Sequence, residues 1–306
     1  MTKNSILLLT ITLLLAACGQ RSSENLNLNL DQVEIAKIQI SPETMMDIIE
    51  NLASPMEAAV LISSLNIPFS ASNLPNPENL STNTNPLEIA YRLGMLYADL
   101  GYINLYENTG IAERFLTSID HLTTELHIGQ FFDLVTVKRL ATSSSIDSLL
   151  YISINSFNYM GNSLRESDRG DQGALMITGA WIEGLYLATQ AAIRNDSEHL
   201  KAMIVDQKLI LNDLLLVLNF YNSETQVQNY ITELESIMGI YDGVKINYEV
   251  GDPETVEKDG MLELVQPETS QLFMSDEVLD EITKITAEVR NAHLSSAQVT
   301  MKTQAK

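Results

Sequence analysis

Asp99 and Glu183 are the two residues of this chain whose setting invites chemistry. Each sits in the middle of a long, mostly apolar run: LEIAYRLGMLYADLGYINLYE for residues 87–107 and ALMITGAWIEGLYLATQAAIR for residues 174–194. A carboxyl group held among apolar side chains is harder to ionise, so it can serve as an acid, a base or a ligand contact. At about 100° per residue, Asp99 joins Glu88, Arg92 and Tyr106 in a polar stripe, and Glu183 joins Gln172, Gln190 and Arg194 in another. Three readings follow. The stripes meet in a polar pocket, they are solvated strips with Glu88–Arg92 as a surface i,i+4 pair, or the carboxylates make structural hydrogen bonds to Tyr or Trp. The rarity of buried unpaired charge favours the solvated strip.

The rest of each wheel says what must position these groups. Ala90, Gly94, Ala98 and Gly101 fall in a narrow arc on the first helix, and Ala180, Gly184, Ala188 and Ala191 in one on the second. Leu93, Leu96, Leu100 and Ile103 form a bulky face on the first. Trp181, Ile182, Leu185, Tyr186 and Ile193 do so on the second. Helices apolar around most of their circumference are buried. A glycine inside a helix costs up to about 1 kcal/mol relative to alanine, and close helix–helix approach is the compensation expected here. The two helices are therefore expected to be central partners.

Other chemistries leave no trace in the sequence. The histidines are His121, His127, His199 and His293, and none stands in an HExxH or ExxH spacing. His121 and His127 read as surface or edge residues. There is no Walker A loop, GxGxxG or GxSxG element. Ser143–Ser145 reads as a helix cap, and Arg165–Gly170 as a charged turn. The single cysteine, Cys18, rules out an intramolecular disulfide and a cysteine metal site. No cofactor or metal is expected. With 40 acidic against 18 basic residues, nucleic acid is a poor partner, because phosphate binding needs clustered Lys and Arg.

The first residues, MTKNSILLLTITLLLAACGQ, carry Lys3, an apolar run over Ile6–Leu15 and small residues before Cys18. This is the layout of a secretory signal, and the run is too short to span a bilayer. Leu15-Ala16-Ala17-Cys18 resembles the lipobox of bacterial lipoproteins. The resemblance implies cleavage before Cys18 and acylation of its sulfur and new amino group with chains of the palmitate class. Each buried CH₂ then contributes about 0.8 kcal/mol to anchoring. The expected address is the cell envelope, with the membrane reached through lipid on Cys18. Gly19 in place of Asp argues for the outer membrane by the proteobacterial pattern.

Along the chain, residues 1–17 read as signal peptide, 18–40 as lipidated tether, 41–293 as one helical domain and 294–306 as a polar tail. Ser54-Pro55-Met56-Glu57 and Asn85-Pro86-Leu87-Glu88 are helix starts with a cap, a proline at the first position and a glutamate at the third. Ser223-Glu224-Thr225-Gln226 is a capping box. Gly129 is the expected stop of the helix before it. About ten helices are predicted, near 42–52, 55–65, 86–108, 110–127, 132–142, 145–165, 171–194, 197–220, 223–241 and 275–293. Short connections favour an all-α antiparallel bundle. Alternating runs at 244–250 and 261–265 predict a small β-hairpin. The Asn-, Ser- and Pro-rich loop 66–85 is long enough to have a role of its own.

The segments SPMEAAVLISSLNIPFS (Ser54–Ser70), LGMLYADLGYINLYENT (Leu93–Thr109) and GAWIEGLYLATQ (Gly179–Gln190), with Met274–Val278 and Ala287–Asn291, resemble a group of uncharacterised helical lipoproteins of Bacteroidota-type bacteria. The resemblance implies the helical fold and the envelope address, and supplies no activity. The functional expectation is a lipid-anchored, non-catalytic binding or scaffold module with an envelope protein as partner. The alternative is an enzyme or small-ligand receptor that uses Asp99 and Glu183.

Overall fold

The computed structural model of the chain describes residues 48, 57–80, 85–132, 146–223, 225–250, 254–258, 261–265 and 268–294. The signal peptide, Cys18, the tether, the expected helix at 42–52 apart from Ile48, the expected helix at 132–142 apart from Phe132, and the tail after Leu294 lie outside the described residues, as does Glu224 of the expected capping box.

The described residues are mainly helical. The helices are α1 (Glu57–Ser64), α2 (Pro86–Leu105), α3 (Thr109–Glu125), α4 (Ile146–Glu166), α5 (Gly170–Arg194), α6 (Glu198–Phe220), α7 (Thr225–Tyr241) and α8 (Asp276–Leu294). Two 3₁₀ turns, Ala71–Asn73 and Pro77–Leu80, lie between α1 and α2, and a third spans Gly129–Phe131. No helix among the described residues is long and apolar enough to cross a membrane. The start of α2 follows its sequence signal. The Asn85 side chain accepts a hydrogen bond from the Leu87 amide at 3.0 Å, and Pro86 stands at the first helical position, where no amide hydrogen is needed.

The helix ends are less conventional. Asn66, Glu107, His127 and Asp168 all take φ values of 55–58°, a region that side chains other than glycine rarely adopt. Each sits where a left-handed residue closes a helix. The next amide reaches back to the last turn: Ile67 to Ile62 O, Asn108 to Ile103 O, Ile128 to Thr123 O and Arg169 to Leu164 O, at 2.9–3.3 Å. These are the long bonds of the Schellman motif. Gly129 is therefore not the stop of α3. His127 holds that position, and Gly129 begins the following 3₁₀ turn.

Helices α2 and α5 form the centre. Residues 89–104 of α2 are all buried, and α5 is buried along most of its length. Their backbones touch. A Cβ placed on Gly94 would lie 1.9 Å from Met176 O and 2.7 Å from Ala180 N, and one on Gly179 would lie 1.9 Å from Tyr91 O. Gly94 is thus used as its arc predicts, and on α5 the backbone of α2 meets Gly179, which lies outside the arc expected there. Around this pair, α3 packs on α2, α4 on both, and α1, α6 and α8 on α5, while α7 packs on α6 and α8. Leu93, Leu96 and Leu100 meet Phe115, Leu116 and Ile119 of α3 and Phe157, Met160 and Leu164 of α4 in one apolar core. On the opposite side, Trp181 donates from Nε1 to Gln207 Oε1 of α6 at 2.9 Å.

Four strands precede α8. β1 (Lys245–Val250) pairs antiparallel with β4 (Glu268–Phe273), and β2 (Glu254–Lys258) with β3 (Met261–Val265). The expected hairpin between 244–250 and 261–265 is not the pairing found. Lys258 faces Met261 in register, so β2 takes β3 as its partner and β1 takes β4.

Candidate functional site

Asp99 and Glu183 come together. Both are fully buried, at 0 % exposure, and each lies in the field of the other. The solvated-strip reading is therefore wrong for both. Its error is physical: at Asp99 and Glu183 the stripes of α2 and α5 meet each other, α8 and the 67–80 segment instead of water, and only the ends of the α5 stripe, at Gln172, Gln190 and Arg194, reach the surface.

Glu183 is matched by Arg290 from α8. Arg290 Nε donates to Glu183 Oε2 at 2.8 Å and Nη2 to Oε1 at 2.6 Å, a two-pronged pairing of guanidinium and carboxylate. The guanidinium also lies 4.0 Å from the centre of the Tyr186 ring, a cation–π contact. Asp99 has no such counterpart. Among the described residues, neither of its oxygens has a hydrogen-bond donor. Burial, reinforced by the charge of Glu183 and opposed only in part by Arg290, pushes its carboxyl well above the usual range. A neutral Asp99 is what this geometry accommodates, since its own O–H then supplies the missing donor toward Glu183.

The segment 67–80 lies over this centre as a strap fastened from several helices. Arg290 Nη2 donates to Asn73 O at 2.9 Å, and Arg194 Nη2 to Asn73 Oδ1 at 3.0 Å. The Ser70 amide donates to Tyr102 Oη at 2.9 Å. Tyr106 donates its hydroxyl hydrogen to Ile67 O. Arg92 Nη1 donates to Leu80 O at 3.3 Å. Phe69 stacks on Tyr102 and tilts against Tyr106, with ring centres 5.2 and 5.4 Å apart. Tyr102 and Tyr106 thus hold the loop that covers the Asp99 stripe.

A second ionic centre was not read from the sequence. His293, in the last turn of α8, lies between two carboxylates, with Nδ1 2.9 Å from Glu88 Oε2 and Nε2 2.8 Å from Glu233 Oε2. Tyr230 donates to Glu88 Oε2 at 2.7 Å, and Arg92 Nε to Glu88 Oε1 at 2.8 Å. Tyr91 and Tyr230 flank the imidazole, with ring centres at 4.3 and 5.2 Å. Burial alone would lower the His293 pKa, but the hydrogen bonds and charges of Glu233 and Glu88 more than offset it and push it up to about 9. Burial would raise Glu88, yet His293, Tyr230 and Arg92 together hold it below its usual value. Glu88–Arg92 is accordingly an inward pair, with Arg92 buried, and not the surface pair expected.

The predicted residues therefore separate. Asp99 and Glu183 meet, Arg92 belongs to the His293 centre, and Tyr106 and Arg194 fasten the strap. Gln190 is half-buried and belongs to neither set of hydrogen bonds. His121 and His127 are exposed. Arg290, His293, Tyr230 and Glu233 were missed. The available signal was Arg290 and His293 three apart, hence on one face of the last amphipathic helix, without any hint of which acids they face.

Chemically, Asp99 and Glu183 form a sealed acid–carboxylate–guanidinium centre. A surface cavity of about 430 Å³ lies elsewhere, lined by Glu198, Lys201, Asp276 and Glu277 among others. Lys201 Nζ already sits 2.7 Å from Asp196, 3.5 Å from Asp276 and 3.6 Å from Glu198 there. Among the described residues, no group of three His, Cys, Asp or Glu side chains is placed to hold a metal ion. Set against known proteins, the chain matches no family model, no curated relative and no solved structure.

Proposed function

We propose that the chain is a lipid-anchored protein of the cell envelope, a helical bundle that binds or scaffolds an envelope protein and carries out no catalysis. The observation that carries the non-catalytic part is the closure of the Asp99–Glu183 centre. The acidic groups best placed for chemistry are occupied by each other and by Arg290, and the strap lies over them. A general acid or base needs access to a substrate proton, and this arrangement favours structure over turnover. The anchor rests on Leu15-Ala16-Ala17-Cys18 and its flanking signal features, and the outer membrane on Gly19. The resemblance to helical lipoproteins agrees with both.

The outward residues of the strap, Ala71, Ser72 and Asn76, are exposed and offer a contact surface on a well-fastened segment. A photo-reactive residue at Ser72, activated in intact cells, is expected to yield one discrete adduct with an envelope protein. The absence of any adduct from Ser72 and from a second exposed strap position counts against the scaffold reading. Cys18→Ser is expected to move the chain out of the membrane fraction, and unchanged membrane association refutes the anchor.

A small-ligand receptor is the second reading, and one observation favours it: Asp99 offers two buried oxygens without a donor from another residue. It requires the strap to open. Ligand protection of strap amides from hydrogen exchange, abolished by Asp99→Asn, is the result that would select it.

A further inference from the structure

Arg290 Nη2 has two acceptors, Glu183 Oε1 inside and Asn73 O in the strap. One nitrogen thus couples the buried acid pair to the segment that covers it. The balance of charge around it is even: one carboxylate, Glu183, against one guanidinium, with Asp99 beside them and fully enclosed. The titratable and charged groups that face Asp99 are Glu183 and Tyr186 from α5, Arg290 from α8 and Tyr102 from α2 itself. Tyr91 lies in the field of Glu183, and Arg194 in those of Tyr102 and Tyr186. Each tyrosine is itself held neutral by burial. Among the described residues, the cation whose charge acts on Asp99 is Arg290, and its guanidinium already donates twice to Glu183, once to Asn73 and once to Asn291.

We propose that the Asp99–Glu183–Arg290 centre is a proton-operated latch on the strap: the strap closes only while Asp99 keeps its proton, and loss of that proton to solvent releases the segment 67–80. With Asp99 neutral, its O–H satisfies Glu183, and Arg290 is free to hold both Glu183 and Asn73. With Asp99 ionised, two carboxylates face one guanidinium in a dry site. Such a state is costly unless water enters. Water enters by parting the strap contacts at Asn73 and Ser70, and these are the contacts that Arg290 and Tyr102 provide. The closed form binds one proton more than the open form. Linkage then shifts the balance toward opening as pH rises, by up to about tenfold per pH unit. The device does not depend on whether the chain is a scaffold or a receptor.

The test is hydrogen exchange of the full chain read by mass spectrometry between about pH 5 and about pH 6.5, below the range over which the His293 bridge is lost. Rates are divided by those of the unfolded chain at the same pH, which removes the intrinsic dependence. In the unaltered protein, protection of 67–80 is expected to fall with pH by up to about tenfold per unit, while that of α3 stays level. Asp99→Asn keeps an N–H donor toward Glu183 but cannot ionise, and its strap protection is expected to be independent of pH. A level profile in the unaltered protein, or the same slope in Asp99→Asn, overturns the latch. Should Asp99→Asn fail to fold by circular dichroism, the comparison of strap and α3 within the unaltered protein decides. A loss confined to the strap supports the latch, and a parallel or absent loss refutes it.

Discussion

Gly94→Ala tests the backbone contact that brings the two carboxyl groups together. Helix propensity alone predicts a gain of about 1 kcal/mol, because alanine loses less backbone entropy than glycine in a helix interior. The packing predicts the opposite. The added methyl would lie 1.9 Å from Met176 O, 2.7 Å from Ala180 N and 2.9 Å from Met176 C. All three are backbone atoms, so no side-chain rotation relieves the clash. Restoring an ordinary carbon–oxygen contact requires α2 and α5 to part locally by roughly 1.5 Å, a large fraction of the range over which dispersion contacts survive. Overpacking of a tight core costs about 1–3 kcal/mol. With the backbone as the obstacle, the upper part of that range applies, which leaves a net loss of about 2 kcal/mol after the propensity gain. Urea unfolding followed by circular dichroism reads this as a lower midpoint at unchanged slope. Gly239→Ala is the control: a methyl added there, in α7, would meet nothing within 4 Å, and the change is expected to stabilise by about 0.5–1 kcal/mol. If Gly94→Ala is as stable as the parent or more so, α2 and α5 do not touch through their backbones.

Three further perturbations probe the ionic and terminal features. Arg290→Met leaves Glu183 buried without its cation and is expected to cost about 3–5 kcal/mol, measured by the same unfolding; a loss below about 1 kcal/mol contradicts the buried pairing. The His293 bridge is present below the unfolded histidine pKa of about 6.5 and is lost as pH rises through about 9. Stability should therefore fall across that window by an amount on the order of 3 kcal/mol, and His293→Gln should remove most of the slope. Glu107→Gly relieves a side chain at φ 55° and is expected to raise stability by about 0.5–1 kcal/mol, net of the glycine's extra entropy when unfolded, as a higher thermal midpoint.

Much of the helical frame was legible in the residues. The Asn85-Pro86 signal marks the start of α2, and the apolar periods place the described helices to within a few residues. The burial of α2 and α5 follows from their circumference, and Gly94 from its arc. On α5 the expected arc ran through Ala180, Gly184, Ala188 and Ala191, and the contact of Gly179 with the α2 backbone lay outside it. The helix ends were hidden because glycine is the usual left-handed residue, while here Asn66, Glu107, His127 and Asp168 take that role. The ionic centres were hidden for another reason. Arg290 lies 107 residues from Glu183, and His293 lies 205 residues from Glu88. Periodicity within a helix says which residues share a face and nothing about what a distant helix brings to it. The strand pairing shows the same limit, since the run at 254–258 that pairs with 261–265 was not read as a strand.

The claim on which the rest depends is that Asp99 stays a neutral acid inside the folded protein. Infrared spectroscopy of the full chain, with Asp99→Asn as the difference partner, observes this directly through the carbonyl stretch of a protonated carboxyl. A neutral, enclosed Asp99 predicts that the band is present at about pH 7, where a solvated aspartate would be almost wholly ionised, and that it is absent from Asp99→Asn. Absence of the band at about pH 7 in the folded, unaltered protein would contradict it.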